Sequence, residues 1–415
     1  MRSTKKAAWI CILLLGIAVI RILNPYKYFK NQVASCNMDY FRNYLPADYP
    51  VEAYELITKD GFKLQIFRLQ KRGTRIKKGL HPVLLQHGMD NSALSWVMNG
   101  KVSLALMLAD QGFDVWLGNN RGSRFAREHL DYDQNSEEFW EFSFQQMAEF
   151  DLPVIVKKLR DVTGINRFTF IGYSQGASQM LAALSDPELK NSVTPYVDSF
   201  HAIAPAVFLT NTEVLAFKLA KWFNWVIHPG RSLIGLRHLE LGECEYNPEN
   251  IVMHSQSCMG SPSSCNHFWF TDPHRETVNY EVYGNFASSH PGGMSMHSVQ
   301  HFAQFITQPN EARSFQKYDY GTKRNLKLYG QSTPPVYPLE DIRTRIRIYL
   351  GGADLLTHIE DSSEISSRLK SADVEVRIFE KWGHLSFLLP QPEAGTEFYQ
   401  SIVDDIKSRL DSSHY

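Results

Sequence analysis

Read for hydrophobic periodicity, the chain breaks into short apolar runs separated by polar turns, with helix-like segments between them. Tyr54-Glu55-Leu56-Ile57 and Phe62-Lys63-Leu64-Gln65-Ile66-Phe67 read as two strands. Lys59-Asp60-Gly61 between them is a hairpin signal. Pro82-Val83-Leu84-Leu85 is a continuous apolar run, the pattern of a strand covered on both faces. Further strands are predicted at residues 113–117, 168–171 and 200–204, then at 345–350, where alternation is clear, and at 374–379. Helices are predicted at residues 104–108, 144–159, 177–184 and 397–410, and Pro153 inside the second predicts a kink or a restart. This alternation implies an α/β fold with a mostly parallel central sheet and helices on both faces. The rhythm stops after Pro205 and resumes at Arg345. Residues 206–335 instead carry Trp222, Phe223, Trp225, Phe268, Trp269 and Phe270, with a Gly/Ser/Pro-rich stretch from Cys258 to Cys265. The expectation is a core of residues 36–205 and 336–415, with a helical cap inserted at 206–335 and its mobile lid near 235–275.

The residues that end these runs bring in chemistry. Phe168-Thr169-Phe170-Ile171 leads into Gly172-Tyr173-Ser174-Gln175-Gly176, and a helix-like run follows. Strand, G-x-S-x-G, helix is the setting of a nucleophile elbow. A lone G-x-S-x-G arises by chance in about one chain in ten of this length, so its weight depends on what accompanies it. Two further strand ends do: Gly351-Gly352-Ala353-Asp354 and Trp382-Gly383-His384. Serine is a poor nucleophile until a base takes its proton. His384 can act as that base, and Asp354 can hold the imidazole in one tautomer and stabilise its cation. Any one of these residues alone would be read as structural. The order Ser174, Asp354, His384, each after a strand, is hard to reach by accident. The run at Pro82 ends in Gln86-His87-Gly88-Met89, which makes the backbone N–H of Met89 a candidate oxyanion donor beside that of Gln175.

Composition narrows the partners. Lys and Arg number 43 against 44 Asp and Glu, for a net charge of −1, and no basic footprint for nucleic acid is present. Arg2, Lys5 and Lys6 precede an uncharged apolar run over residues 7–20, and Arg21, Lys27 and Lys30 follow. Such a run makes about 21 Å of helix against a hydrocarbon core of about 30 Å. Residues 1–35 therefore read as a signal peptide, with a signal anchor able to associate with a membrane as the alternative. Cys258 and Cys265 are placed to close a short disulfide loop, with free buried thiols as the competing reading. His290, His297 and His301 cluster, but no accompanying carboxylate or cysteine completes a metal site, so no metal and no cofactor is expected.

The chain resembles the acid lipase family, that of gastric and lysosomal acid lipases and steryl ester hydrolases, from about residue 40 to 400. The resemblance is carried by Leu85-Gln86-His87-Gly88, Asp114-Val115-Trp116-Leu117-Gly118-Asn119, Arg121-Gly122, Glu138-Phe139-Trp140-Glu141-Phe142-Ser143-Phe144, Asp151-Leu152-Pro153, Ser174-Gln175-Gly176, Ser289-His290, Gly351-Gly352, Asp354-Leu355-Leu356 and His384-Leu385. It implies an α/β-hydrolase core, a cap with a mobile lid, and hydrolysis of triacylglycerols or steryl esters at a lipid–water interface. The N-terminal segment points to the secretory pathway, lysosomal or secreted, with anchoring in the endoplasmic reticulum or lipid-droplet membrane as the alternative. The resemblance assigns the nucleophile to Ser174, the acid to Asp354, the base to His384 and the oxyanion donors to Met89 and Gln175. A thioester or small-ester substrate is the rival reading. A catalytically silent binding protein is disfavoured, because all three residues are present. There are departures. The family has His where Tyr173 stands, Leu at Met89, Asn before the base where Gly383 stands, and Asp two residues after it where Ser386 stands. Those at Gly383 and Ser386 put the histidine's surroundings, and any acidic pH preference, in question.

Overall fold

The computed structural model describes residues 35–214, 217–218, 237–239, 244–260, 271–309 and 312–412. The predicted hairpin forms: β1 (Val51–Ile57) pairs antiparallel with β2 (Phe62–Leu69), from Val51 opposite Leu69 to Ile57 opposite Lys63. β2 also pairs antiparallel with β4 (Asp114–Gly118). Every later neighbour is parallel: β4 with β3 (Pro82–Gln86), β3 with β6 (Phe168–Tyr173), then β7 (Val197–Ile203), β10 (Arg345–Gly351) and β11 (Val374–Phe379). The spatial order is β1-β2-β4-β3-β6-β7-β10-β11, with the short β5 (Glu128–His129) added to β2. A separate small sheet pairs β8 (His238–Leu239) with β9 (Met294–Ser295).

The mainly apolar runs become the central strands for a physical reason. β3, β4, β6 and β7 are buried at every position, so both faces need apolar cover. Successive side chains point to opposite faces. Leu84, Trp116, Phe170 and Phe200 pack on one face with the helices Leu152–Thr163 and Gln175–Ser185. Val83, Leu85, Val115 and Ile171 pack on the other with Leu104–Asp110 and Pro392–Ser412. Edge strand β11 alternates instead, leaving Val376 and Ile378 exposed.

The restart expected at Pro153 takes a specific form. Helix Phe144–Gln146 passes into a π turn, Met147–Asp151, and a new helix begins at Leu152 with Pro153 in its first turn. A proline there removes no needed amide. Asp151, in the π turn, accepts from Arg121 Nε at 2.8 Å, while Arg121 also bonds Asp60 in the hairpin turn. Arg121 is buried and ties these loops together.

Between β7 and β10 the described residues hold the helices Pro248–Gly260, Tyr283–Ser289, Met296–Ile306 and Thr322–Tyr329. Phe302, Phe305 and Ile306 pack into the main core beside Phe144, Phe315 and Tyr337. His301 serves this packing. Its Nδ1 lies 2.8 Å from Ser143 Oγ, its Nε2 lies 3.0 Å from the Gln316 carbonyl, and burial pushes its pKa down to about 3. His297 stacks on Tyr318. Among the described residues no group of three metal-ligating side chains occurs. Trp222, Phe223, Trp225, Phe268, Trp269 and Phe270 lie outside the described residues, as do parts of the segment expected to form the lid. The apolar run at residues 7–20 also lies outside them. Among the described residues no helix is long and apolar enough to cross a membrane.

The cysteines extend the sequence reading. Cys36 is bonded to Cys244, across 208 residues, a pairing the local spacing did not suggest. Cys258 is disulfide-bonded too, which removes the free-thiol alternative for it; its expected partner, Cys265, lies outside the described residues. A crosslink closing so long a loop stabilises by about 5 kcal/mol in the chain-entropy model. Replacing Cys36 and Cys244 together by serine should therefore lower the thermal midpoint by several degrees, read by circular dichroism. An unchanged midpoint would show that the bond adds nothing to stability.

Candidate active site

The site is assembled at the carboxyl ends of the parallel strands. Ser174 follows β6 directly and is the first residue before helix Gln175–Ser185, with φ 53° and ψ −118°. This is a left-handed backbone conformation that a side chain adopts only under constraint. The constraint is visible: Ser174 N–H donates to the Ile203 carbonyl at 2.9 Å, and the Ser174 carbonyl accepts from Ala177 and Ser178 N–H. Gly176 makes the turn possible, because a Cβ there would run into the carbonyls of Gln86 and His87.

Asp354 and His384 reach the serine through the ends of β10 and β11. Gly352 N–H donates to the Phe379 carbonyl at 2.9 Å, and Ala353 N–H to the Trp382 carbonyl at 3.1 Å, which fastens the two loops together. His384 Nε2 then lies 3.0 Å from Ser174 Oγ, and His384 Nδ1 lies 2.7 Å from Asp354 Oδ2. Asp354 also accepts from Leu356 N–H, Thr357 N–H and Thr357 Oγ1–H at 2.8, 2.9 and 2.6 Å. All three residues are buried. Burial works to lower the His384 pKa, but the Asp354 carboxylate, with Asp272 and Asp90 adding to it, more than offsets burial, so the net shift is upward. Asp354 shows the converse: burial favours its neutral form, yet the bond to His384 holds its carboxyl below the usual range. Asp361, a buried acid of this region, is engaged elsewhere with Thr210, Asn211 and Arg313.

The segment after β3 lies against the serine. A Cβ on Gly88 would come within 3.1 Å of Ser174 Cβ. His87 sets the orientation here. Its Nε2 accepts from Asn120 N–H at 3.1 Å and its Nδ1 faces the Gly88 carbonyl at 2.7 Å, while burial pushes its pKa down to about 4. The Met89 N–H shares a trans peptide with that carbonyl, so it points away from His87. Asn91 Nδ2 donates to the Met89 carbonyl at 2.8 Å, and Asn91 Oδ1 lies 2.6 Å from His290 Nε2. Ser289-His290 thus clamps the loop that carries Met89, a role its sequence position did not disclose. The Gln175 side chain is directed to Met147 Sδ at 3.5 Å, and its backbone N–H opens the helix behind Ser174.

Three residues that depart from the family pattern meet around His384. Tyr173 Oη donates to the His384 carbonyl at 3.0 Å. Ser386 Oγ donates to Asp272 Oδ1 at 2.6 Å, and a Cβ on Gly383 would strike the Asp272 carboxylate. Sequence reasoning missed Asp272, since nothing in its local context singles it out.

This strand order, with polar loops converging at the carboxyl ends of the parallel strands, defines an α/β-hydrolase. A family model described as the partial α/β-hydrolase lipase region matches residues 42–100, and one described as the α/β-hydrolase fold matches residues 81–231. The gastric triacylglycerol lipase of Bos taurus is 32% identical over 91% of this chain and 92% of its own length. Lipase member K of Homo sapiens is 30% identical over 86% of this chain and 87% of its own. The structure of a soluble variant of monoglyceride lipase from Saccharomyces cerevisiae superposes with a TM-score of 0.52 at 15% identity, covering 93% of this chain and 98% of that one, a likeness of fold. The chain belongs to the acid lipase family, and it is a carboxylic ester hydrolase of the lipase/esterase type.

The tight approach at the elbow yields a direct test. Gly176→Ala forces a methyl group against two backbone carbonyls and should cost about 3 kcal/mol. The expected result is a lower thermal midpoint together with lost esterase activity. Full activity at an unchanged midpoint would mean that the elbow tolerates a side chain there.

Proposed function

We propose that the protein hydrolyses long-chain neutral lipid esters, triacylglycerols or steryl esters, through an acyl-enzyme on Ser174. The observation that carries this reading is the unbroken chain from Ser174 Oγ to His384 Nε2 and from His384 Nδ1 to Asp354 Oδ2, at 3.0 and 2.7 Å. In the first half-reaction Ser174 Oγ attacks the ester carbonyl and its proton passes to His384 Nε2. His384 returns that proton to the departing alcohol. Water then repeats the sequence on the acyl-enzyme and releases the fatty acid. Asp354 holds the Nδ1–H tautomer and stabilises the imidazolium. The backbone N–H groups of Met89 and Gln175 receive the developing oxyanion, the second with help from the helix N-terminus.

The lipid substrate is supported by kinship with a protein named gastric triacylglycerol lipase. It is also supported by the apolar surroundings of the triad loops, where Met89, Leu355 and Leu356 pack against the main core. Each methylene removed from water contributes about 0.8 kcal/mol, so a capped apolar site favours long acyl chains. Residues 206–335 are proposed as that cap. The Cys36–Cys244 bond supports an oxidising compartment, hence a secreted or lysosomal enzyme.

A substrate panel tests the reading: emulsified long-chain triacylglycerol, steryl ester and a soluble short-chain ester. Turnover of the emulsions should rise sharply once substrate passes its solubility limit. Preference for the soluble ester at all concentrations would shift the reading to a small-ester hydrolase.

Ser174→Ala should reduce turnover by about 10⁴-fold or more. A serine-directed phosphonate should label the wild type once and leave this variant unlabelled. Modification elsewhere would remove Ser174 as the nucleophile.

The pH profile follows from His384. The base must be neutral to accept the serine proton, and its pKa is raised by Asp354 against the effect of burial. Activity should therefore fall as pH drops through a midpoint above histidine's ordinary value of about 6.5. A kcat/KM profile on a soluble ester gives that midpoint. Undiminished activity at pH 5 would contradict this electrostatic account.

A further inference from the structure

The departures at Tyr173, Gly383 and Ser386 share one destination, the backbone of the turn that carries His384. Asp272 is at its centre. Its Oδ1 accepts from Ser386 N–H at 2.9 Å and from Ser386 Oγ–H at 2.6 Å. Its Oδ2 accepts from Leu385 N–H at 2.8 Å and from Thr271 Oγ1–H at 2.6 Å. Four donors converge on one buried carboxylate, and two of them are the amides immediately after His384. Ser386 Oγ also accepts from Gly383 N–H at 3.1 Å and lies 2.8 Å from Thr277 Oγ1, which closes the turn on itself. Gly383 is what lets the carboxylate in.

The preceding residue faces the other triad loop. Leu355 N–H, next to Asp354, donates to the Thr271 carbonyl at 3.2 Å. Two adjacent residues thus hold both the loop of the acid and the loop of the base. They come from the region inserted between β7 and β10, not from the strands that end in the triad. On the far side, Tyr173 Oη holds the His384 carbonyl, and its ring centroid lies 4.9 Å from that of the imidazole.

We infer that Asp272 is a positioning residue for the hydrolysis: it fixes the His384 turn through Ser386 and two amides, and supplies a second negative charge behind the imidazolium. This rests on the reading of His384 as the base. The family pattern has a carboxylate two residues after that histidine. Here Ser386 fills the position, and the carboxylate is delivered from residue 272 instead. Asp354, Asp272, Asp90 and Tyr173 are the titratable groups that face His384. The three carboxylates all favour its protonated form, with Asp354 the strongest. Burial pushes the pKa of Asp272 itself up, against its hydrogen bonds from Ser386, Thr271 and Leu385.

The test compares Asp272→Asn, Ser386→Ala and wild type as purified full-length chains on p-nitrophenyl butyrate across pH, with phosphonate titration of Ser174 and thermal unfolding alongside. Asparagine turns an amide N–H₂ toward hydrogen-bond donors and removes the charge. It should lower kcat about tenfold or more with KM within about twofold, and move the acidic limb to lower pH. Ser386→Ala keeps the charge, so it should lower kcat while leaving the limb in place. An Asp272→Asn variant with wild-type kcat and an unmoved limb overturns the inference, while Ser174 still titrating once per chain leaves the triad standing. A loss of the Ser174 label in wild type would instead sink the triad. If Asp272→Asn does not fold, Ser386→Ala decides: reduced kcat at an unchanged thermal midpoint supports the positioning role, and unchanged kcat rejects it.

Discussion

The site depends first on one strained residue. Ser174 is held at positive φ because its N–H is captured by the Ile203 carbonyl while its carbonyl already starts the following helix. Strand β6 therefore ends and the helix begins with no intervening loop, and Oγ projects beyond the sheet edge. The close passage of this helix under the carbonyls of Gln86 and His87 also brings the end of β3 alongside. Placement of the serine and of the Gly88–Met89 segment is one geometric event. Neither can shift without the other.

The second half of the site is built differently. Asp354 and His384 lie on loops after strands at one side of the sheet, and loops of that length have many conformations open to them. They are narrowed by mutual backbone bonds between 352–353 and 379–382, and by Thr271 and Asp272 bearing on both. The strand framework thus sets the distance between Ser174 and His384 only coarsely. Further contacts to both loops come from Thr271 and Asp272, which lie between β7 and β10.

Much of this was legible in the chain. Strands buried on both faces leave largely apolar runs, so β3, β4, β6 and the end of β7 could be located; Ser174 stands just beyond β6, and Asp354 and His384 follow β10 and the alternating edge strand β11. Helix Ile359–Arg368 left little trace, because among its ten residues only Asp361, Ser362 and Ile365 are buried. The Cys36–Cys244 bond and the role of Asp272 were invisible for a common reason. Each joins positions more than a hundred residues apart in sequence, and no local pattern encodes the contact. His290 illustrates the intermediate case: its motif was noticed, but its partner Asn91 sits on another loop. Local periodicity reports burial. It does not report which buried polar groups meet.

The Cys36–Cys244 bond also sets an order of events during biosynthesis. Its first sulfur precedes every strand of the sheet, and its second follows β7. At about 5–20 residues per second, the ribosome needs roughly 10–40 s to make the 208 residues between them. Throughout that interval Cys36 is a thiol with no native partner, while β1 to β7 are already emerging. When Cys244 does appear, Cys258 follows closely and competes for the same sulfur. A nascent chain of this kind draws on thiol–disulfide exchange to sort the pairs.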